Sequence, residues 1–206
     1  MSYGITPIAV SLDKVEAAIG NRRPGGLFGL LPSPSTKLLT AIKRKFTYRF
    51  DDDEVDEEDE PTLEQALVDL VLGNDLNESY CHKYGYALEL VCDHFGEMLV
   101  NSEWTAMRIE WAETVAEAMG EAGIDASAIS VTNHLMFRGS PVSIPPQDDF
   151  PSIGFLRRDE IAPAAQAIDA ADLSSMDDDV RTSVEQIRLW CSRCTELDCD
   201  LICFYY

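Results

Sequence analysis

Six cysteines and three histidines are the residues best suited to chemistry in this chain of 206. Four of the cysteines, Cys191, Cys194, Cys199 and Cys203, follow the spacing Cys-x2-Cys-x4-Cys-x3-Cys, and four thiolates can hold a tetrahedral zinc. Their setting argues otherwise. Cys191 and Cys194 continue an apolar stripe of helical spacing through Val180, Val184 and Ile187, and Cys199 and Cys203 belong to an apolar terminal segment. Core packing of free thiols is therefore expected, with no metal and no cofactor. Cys81, His82, Cys92 and His94 form a second group, since a cysteine beside a histidine is the usual nucleophile and base. On a helix the two cysteines, eleven residues apart, share one face and the histidines lie on another. His134, with Arg138 one turn further on, remains as the candidate catalytic pair. No Gly-x-Gly-x-x-Gly, phosphate loop, nucleophile elbow or His-Glu-x-x-His occurs.

Charge gives a second kind of site. With 16 Lys and Arg against 37 Asp and Glu, the net charge is −21. Such a chain repels phosphates, which excludes nucleic acid and disfavours anionic membranes. The charge is also polarised. Residues 17–50 carry cations at Arg22, Arg23, Lys37, Lys43, Arg44, Lys45 and Arg49 and no acid. Nine acids then follow within ten residues: Asp51, Asp52, Asp53, Glu54, Asp56, Glu57, Glu58, Asp59 and Glu60. One reading is a solvated, mobile loop folding back on its basic neighbour; the other is an acidic arm, these nine residues binding a basic protein partner. A small enzyme, with His134 or a cysteine in a pocket lined by loops 21–36 and 139–151, is the alternative function.

The elements that must position these groups read as α+β: a helix-rich single domain with a small sheet of three or four strands that includes both chain termini. Tyr3–Val10 is strand-like, and Pro7, lacking a donor, predicts an edge or a bulge. Leu12 to Ile19 has helical spacing, ended by Gly20. Glycines and prolines make 21–36 an irregular loop. Residues 37–50 suit a helix running into a short strand, since Phe46, Tyr48 and Phe50 alternate with polar residues. Thr62 and Gln65 have capping-box spacing before a helix that Gly73 stops. Longer helices are predicted for Ser79–Val100 and from Trp104 to Gly123, the three together forming the main core. Val131–Phe137 is a helix or a strand, Ser152–Leu156 a strand, and Asp159 caps a helix through Ile168. The stripe ending at Cys194 makes the last helix, and Cys199–Tyr206, apolar on both faces, predicts a central strand.

The N-terminus lacks the basic flank of a signal peptide, and no apolar run reaches the ~18 residues of a membrane span, so a cytoplasmic location is expected. The opening Met1-Ser2-Tyr3-Gly4-Ile5, the Pro151–Leu156 segment leading to Glu160-Ile161, and the closing Asp200–Tyr206 resemble uncharacterised bacterial proteins of the YfbM type, in element order more than in residues. The resemblance implies a single-domain cytosolic α+β protein and brings no catalytic residue. The acidic tract lies outside it.

Overall fold

The structure, a computed structural model, describes residues 3–20, 33–53, 55 and 57–206. It divides into two compact units.

The first unit comprises Met1–Ser11, Gly96–Pro141 and Pro151–Tyr206. It holds an antiparallel sheet in the order β2-β1-β4-β3, formed by β1 (Ile5–Val10), β2 (Glu97–Met98), β3 (Ser152–Leu156) and β4 (Asp200–Tyr205). As its two-sided apolar run requires, β4 is central and buried along its length, pairing with β1 through Pro7↔Cys203 and with β3 through Gly154↔Cys203. Its described α-helices are α6 (Ile109–Glu121), α7 (Arg158–Asp169) and α8 (Asp178–Leu197). α8 packs on β1 and β4 through Val180, Val184, Ile187, Cys191 and Cys194, the stripe read from the sequence. Two buried tryptophans fasten α8 to the chain before α6, Trp104 Nε1 donating to Ser183 O at 3.1 Å and Trp190 Nε1 to Val100 O at 2.6 Å.

Pro7 does not mark an edge, because β1 lies between β2 and β4. Its carbonyl faces β2, accepting from Leu99 N–H at 2.9 Å, so the missing donor points the same way, just past the end of that two-residue strand. Residues 131–136 form neither an ordinary helix nor a strand but a π-helix, Val131–Met136. It presses on β3, where a Cβ at Gly154 would lie 2.3–2.5 Å from the carbonyl groups of His134 and Leu135, so only glycine fits. Past it, Gly139 N–H donates to Ile153 O at 2.8 Å.

The second unit comprises Leu12–Phe95 and Val142–Phe150. Its helices are α1 (Leu12–Ala18), α2 (Pro34–Lys45), α3 (Thr47–Asp51), α4 (Leu63–Leu72) and α5 (Cys81–Phe95). α4 and α5 pack together, with α2 against both and α1 against α5. The expected strand at 46–50 is helical: Thr47 Oγ1 reaches back to Lys43 O at 3.0 Å and Tyr48, meant for one face of a strand, is 60% exposed. Of loop 21–36, residues 21–32 lie outside the described residues, and α2 begins at Pro34 with Ser33 as its cap. α4 bears out the capping box, with Thr62 Oγ1 accepting from Gln65 N and Gln65 Oε1 from Thr62 N, and it ends in a left-handed Gly73. α5 is shorter than Ser79–Val100, since Gly96 releases the chain into β2; Glu97 pairs with Ala9 as strand. Trp104 likewise precedes α6, in a short 3-10 turn. The three helices expected to share one core divide between units, α4 and α5 here and α6 in the first. The cap of α7 is Arg157, not Asp159: its N–H donates to Glu160 Oε2 at 2.7 Å. No helix among the described residues is long and apolar enough to cross a membrane.

Candidate functional site

The acidic tract is organised by α5. Lys83, in the first turn of that helix, is 5% exposed, a burial at which an unpaired ammonium would be costly. Two carboxylates of the tract meet it, Asp53 Oδ1 at 2.8 Å and Glu60 Oε1 at 3.1 Å. Burial works against the charge on Lys83, but these hydrogen bonds outweigh it and raise its pKa above the ordinary lysine value. Asp53 also accepts from Leu63 N–H at 2.6 Å, using one of the free donors at the start of α4. Glu60 lies 3.4 Å from His82 Nε2, and Glu57 accepts from Tyr80 Oη at 2.8 Å, which raises the Tyr80 pKa. Two of the nine acids, Asp53 and Glu60, thus point inward on the α5 side, and Glu57 meets Tyr80 at the exposed surface. Asp51, Asp52, Glu58 and Asp59 are exposed as Glu57 is, and Glu54 and Asp56 lie outside the described residues.

Among the described residues, Asp53 and Glu60 fold back on Lys83 of α5. The cations of α2 and α3 hold other acids: Lys43 pairs with Glu64, Lys45 with Asp93 at 3.0 Å, and Arg49 with the buried Glu89 at 2.9 Å. The guanidinium is what permits the burial of Glu89.

Where the tract meets α4 a cleft of about 670 Å³ opens. Glu58, Asp59, Glu60, Glu64 and Asp69 line it, together with Val68. Glu58 and Asp59 pair with no cation among the described residues. The sequence reading found the first three of these acids and missed Glu64 and Asp69. Their signal was present, since the capping box fixes where α4 starts and puts Glu64 in its first turn. Lys83 had a fainter one, a cation inside an apolar stripe.

His134 and Arg138 lie in the first unit, at the π-helix and just beyond. Arg138 grips Glu160 through both guanidinium nitrogens, at 2.6 and 2.9 Å, donates to Phe155 O at 2.9 Å and stacks 4.1 Å above the Phe155 ring. That grip, with the Arg157 N–H, holds the Glu160 carboxyl below the usual range. His134 Nδ1 is buried without a hydrogen-bond partner, and burial and the nearby Arg138 lower its pKa. The structure does not bring a cysteine to this histidine; the closest thiol-to-acid contact, Cys81 Sγ to Asp148 Oδ1 at 2.7 Å, is in the other unit. Burial raises the Cys81 pKa and pushes Cys191 up to about 12, with Cys92, Cys194 and Cys203 raised as well. All six cysteines are free and buried, and among the described residues no three of His, Cys, Asp and Glu converge as a metal site.

Fold and cleft together define a helix-rich α+β protein with a small antiparallel sheet and an acid-lined surface cleft. The chain belongs to the family described as Domain of unknown function (DUF7691), whose model matches residues 1–206. No curated protein and no solved structure matches it.

Proposed function

We propose that the protein is a non-enzymatic binding protein that engages a basic protein partner through the acidic cleft at the start of α4. The observation that carries this reading is the convergence of Glu58, Asp59, Glu60, Glu64 and Asp69 on one open cleft, two of them without a cation among the described residues. Such a surface attracts lysine or arginine side chains over distances of a Debye length, about 8 Å at physiological salt, and speeds their association. Arg138, by contrast, is committed to Glu160 and Phe155, which leaves it little freedom to hold a substrate.

The reading extends to a cytoplasmic location and a bacterial source, supported by six buried free thiols, which suit a reducing compartment, and by the resemblance to YfbM-type proteins. It also treats 1–206 as one domain, supported by the span of the family match; coincident unfolding transitions by different probes would check this.

The test is capture of partners from native lysate at low and high salt, using the wild type, Glu58→Gln/Asp59→Asn, and a control of equal charge change, Glu113→Gln/Glu117→Gln on the exposed face of α6. Salt-sensitive capture that falls about tenfold in the cleft variant and persists in the control is expected, as for the loss of ~1.4 kcal/mol of binding energy. Capture indifferent to salt, or lost equally in both variants, overturns the cleft as the binding site.

A further inference from the structure

Four thiols gather around the end of α8, and two of them meet in its C-terminal cap. The helix stops at Asp198, whose φ of 50° is left-handed. Asp198 N–H donates to Thr195 O at 3.2 Å and Cys199 N–H to Cys194 O at 3.1 Å. This nested pair is the Schellman arrangement, which brings the side chain three residues from the helix end against the second residue beyond the left-handed turn's start. Those two positions usually hold an apolar pair; here they hold Cys194 and Cys199. The Cys194 thiol donates at 3.6 Å to the carbonyl oxygen of Asp200, the residue next to Cys199. Cys199 is 8% exposed, whereas Cys191, Cys194 and Cys203 are wholly buried.

We propose that Cys194 and Cys199 form an oxidisable dithiol, a modification site at which peroxide closes a disulfide across the C-terminal cap of α8. The cap supplies the proximity that a disulfide demands, since cysteines whose Cα atoms stand more than ~7 Å apart cannot bridge without backbone movement. Exposure decides the order of events. Cys199 attacks one oxygen of hydrogen peroxide, an S–O bond forms as the O–O bond breaks, and, with the thiol proton, water leaves. Cys194 then attacks the sulfenic sulfur, the S–S bond forms, the S–O bond breaks, and its proton departs in a second water. Two thiols are oxidised, one peroxide is reduced, and no other reactant is needed. Only 8% of Cys199 is exposed and burial raises its pKa, so little thiolate meets the oxidant and the closure is slow.

The test treats the native full-length protein with hydrogen peroxide, alkylates the remaining thiols after denaturation, and maps the chain by mass spectrometry. Cleavage after Arg193, after Glu196 and beside Asp200 places the four C-terminal cysteines on four separate fragments. The expected result is a protein lighter by two hydrogens, with the Cys194 and Cys199 fragments joined until reduced and the other four cysteines alkylated. Cys199→Ser, folded by circular dichroism, should lose the two-hydrogen change; should that variant fail to fold, the wild-type map decides alone. Cys199 carried to sulfinic acid with Cys194 still free, a bridge joining any other pair, or a bridge that forms only in denaturant overturns the proposal.

Discussion

At Lys83 a single ammonium holds together two carboxylates that would otherwise repel each other, and neither side chain of the trio is freely solvated: Lys83, Asp53 and Glu60 expose 6%, 12% and 8% of theirs. Removing the cation takes the ammonium from between two largely covered carboxylates. Lys83→Met should cost about 3 kcal/mol by urea denaturation, in line with breaking one side of a buried pair, and should speed amide exchange across residues 57–60. Unchanged stability would mean that the tract is held by something else. Because the Lys83 pKa is raised, its contribution is present below the ordinary lysine value of about 10.4 and is lost as pH climbs through the higher folded value. The sign reverses at Glu160. Arg138 depresses that carboxyl, so its contribution is present above the ordinary glutamate value of about 4.3 and is lost as pH falls through the lower folded one. Arg138→Gln should therefore be less stable than wild type at neutral pH, and the gap, followed by denaturation at several pH values, should narrow in acid. A gap that widens in acid would contradict this account.

Elements whose signals are local were legible. Thr62 and Gln65 announced α4 because a capping box is closed within four residues, and the two-sided apolar run of Leu201 to Tyr205 announced a central strand because burial on both faces leaves no place for alternation. What could not be read depends on distant partners. Phe46, Tyr48 and Phe50 alternate as a strand would, yet no strand pairs with them among the described residues, and helix α3 uses Arg49 to reach Glu89. Likewise the acidic run looks solvated because Lys83, its inner counterion, comes about thirty residues after Asp53 in the chain. Exposed members of the candidate site were visible in composition; the choice of which acids turn inward was not. The π-helix is a similar case, since its closeness to β3 is set by the absence of a side chain at Gly154. Gly154→Ala should destabilise by roughly 1–3 kcal/mol, the usual cost of overfilling a packed site, as a lowered denaturation midpoint with circular dichroism still native. A midpoint equal to wild type would show that the π-helix can back away freely.

At the scale of the whole molecule, a net charge of −21 stands against stability wherever it is not locally compensated. Raising salt from low concentration to the physiological range, where the Debye length shrinks to about 8 Å, should raise the thermal midpoint, and more so for Lys83→Met than for wild type. A midpoint that falls with salt would mean that attractive pairs such as Arg193 with Glu97, at 2.8 Å, outweigh the repulsion. The sheet has a quieter consequence. A protein strand with free backbone groups is a template on which other chains can stack, the first step towards cross-β fibres. Here one border strand, β3, has its Ile153 carbonyl taken by Gly139. The other, β2, is two residues long, its Glu97 clasped by Arg193, and the Val100 carbonyl just beyond it is occupied by Trp190. A neighbour arriving at either border finds too few donors and acceptors to lay down a new strand, so the folded chain offers little purchase for amyloid growth even when crowded.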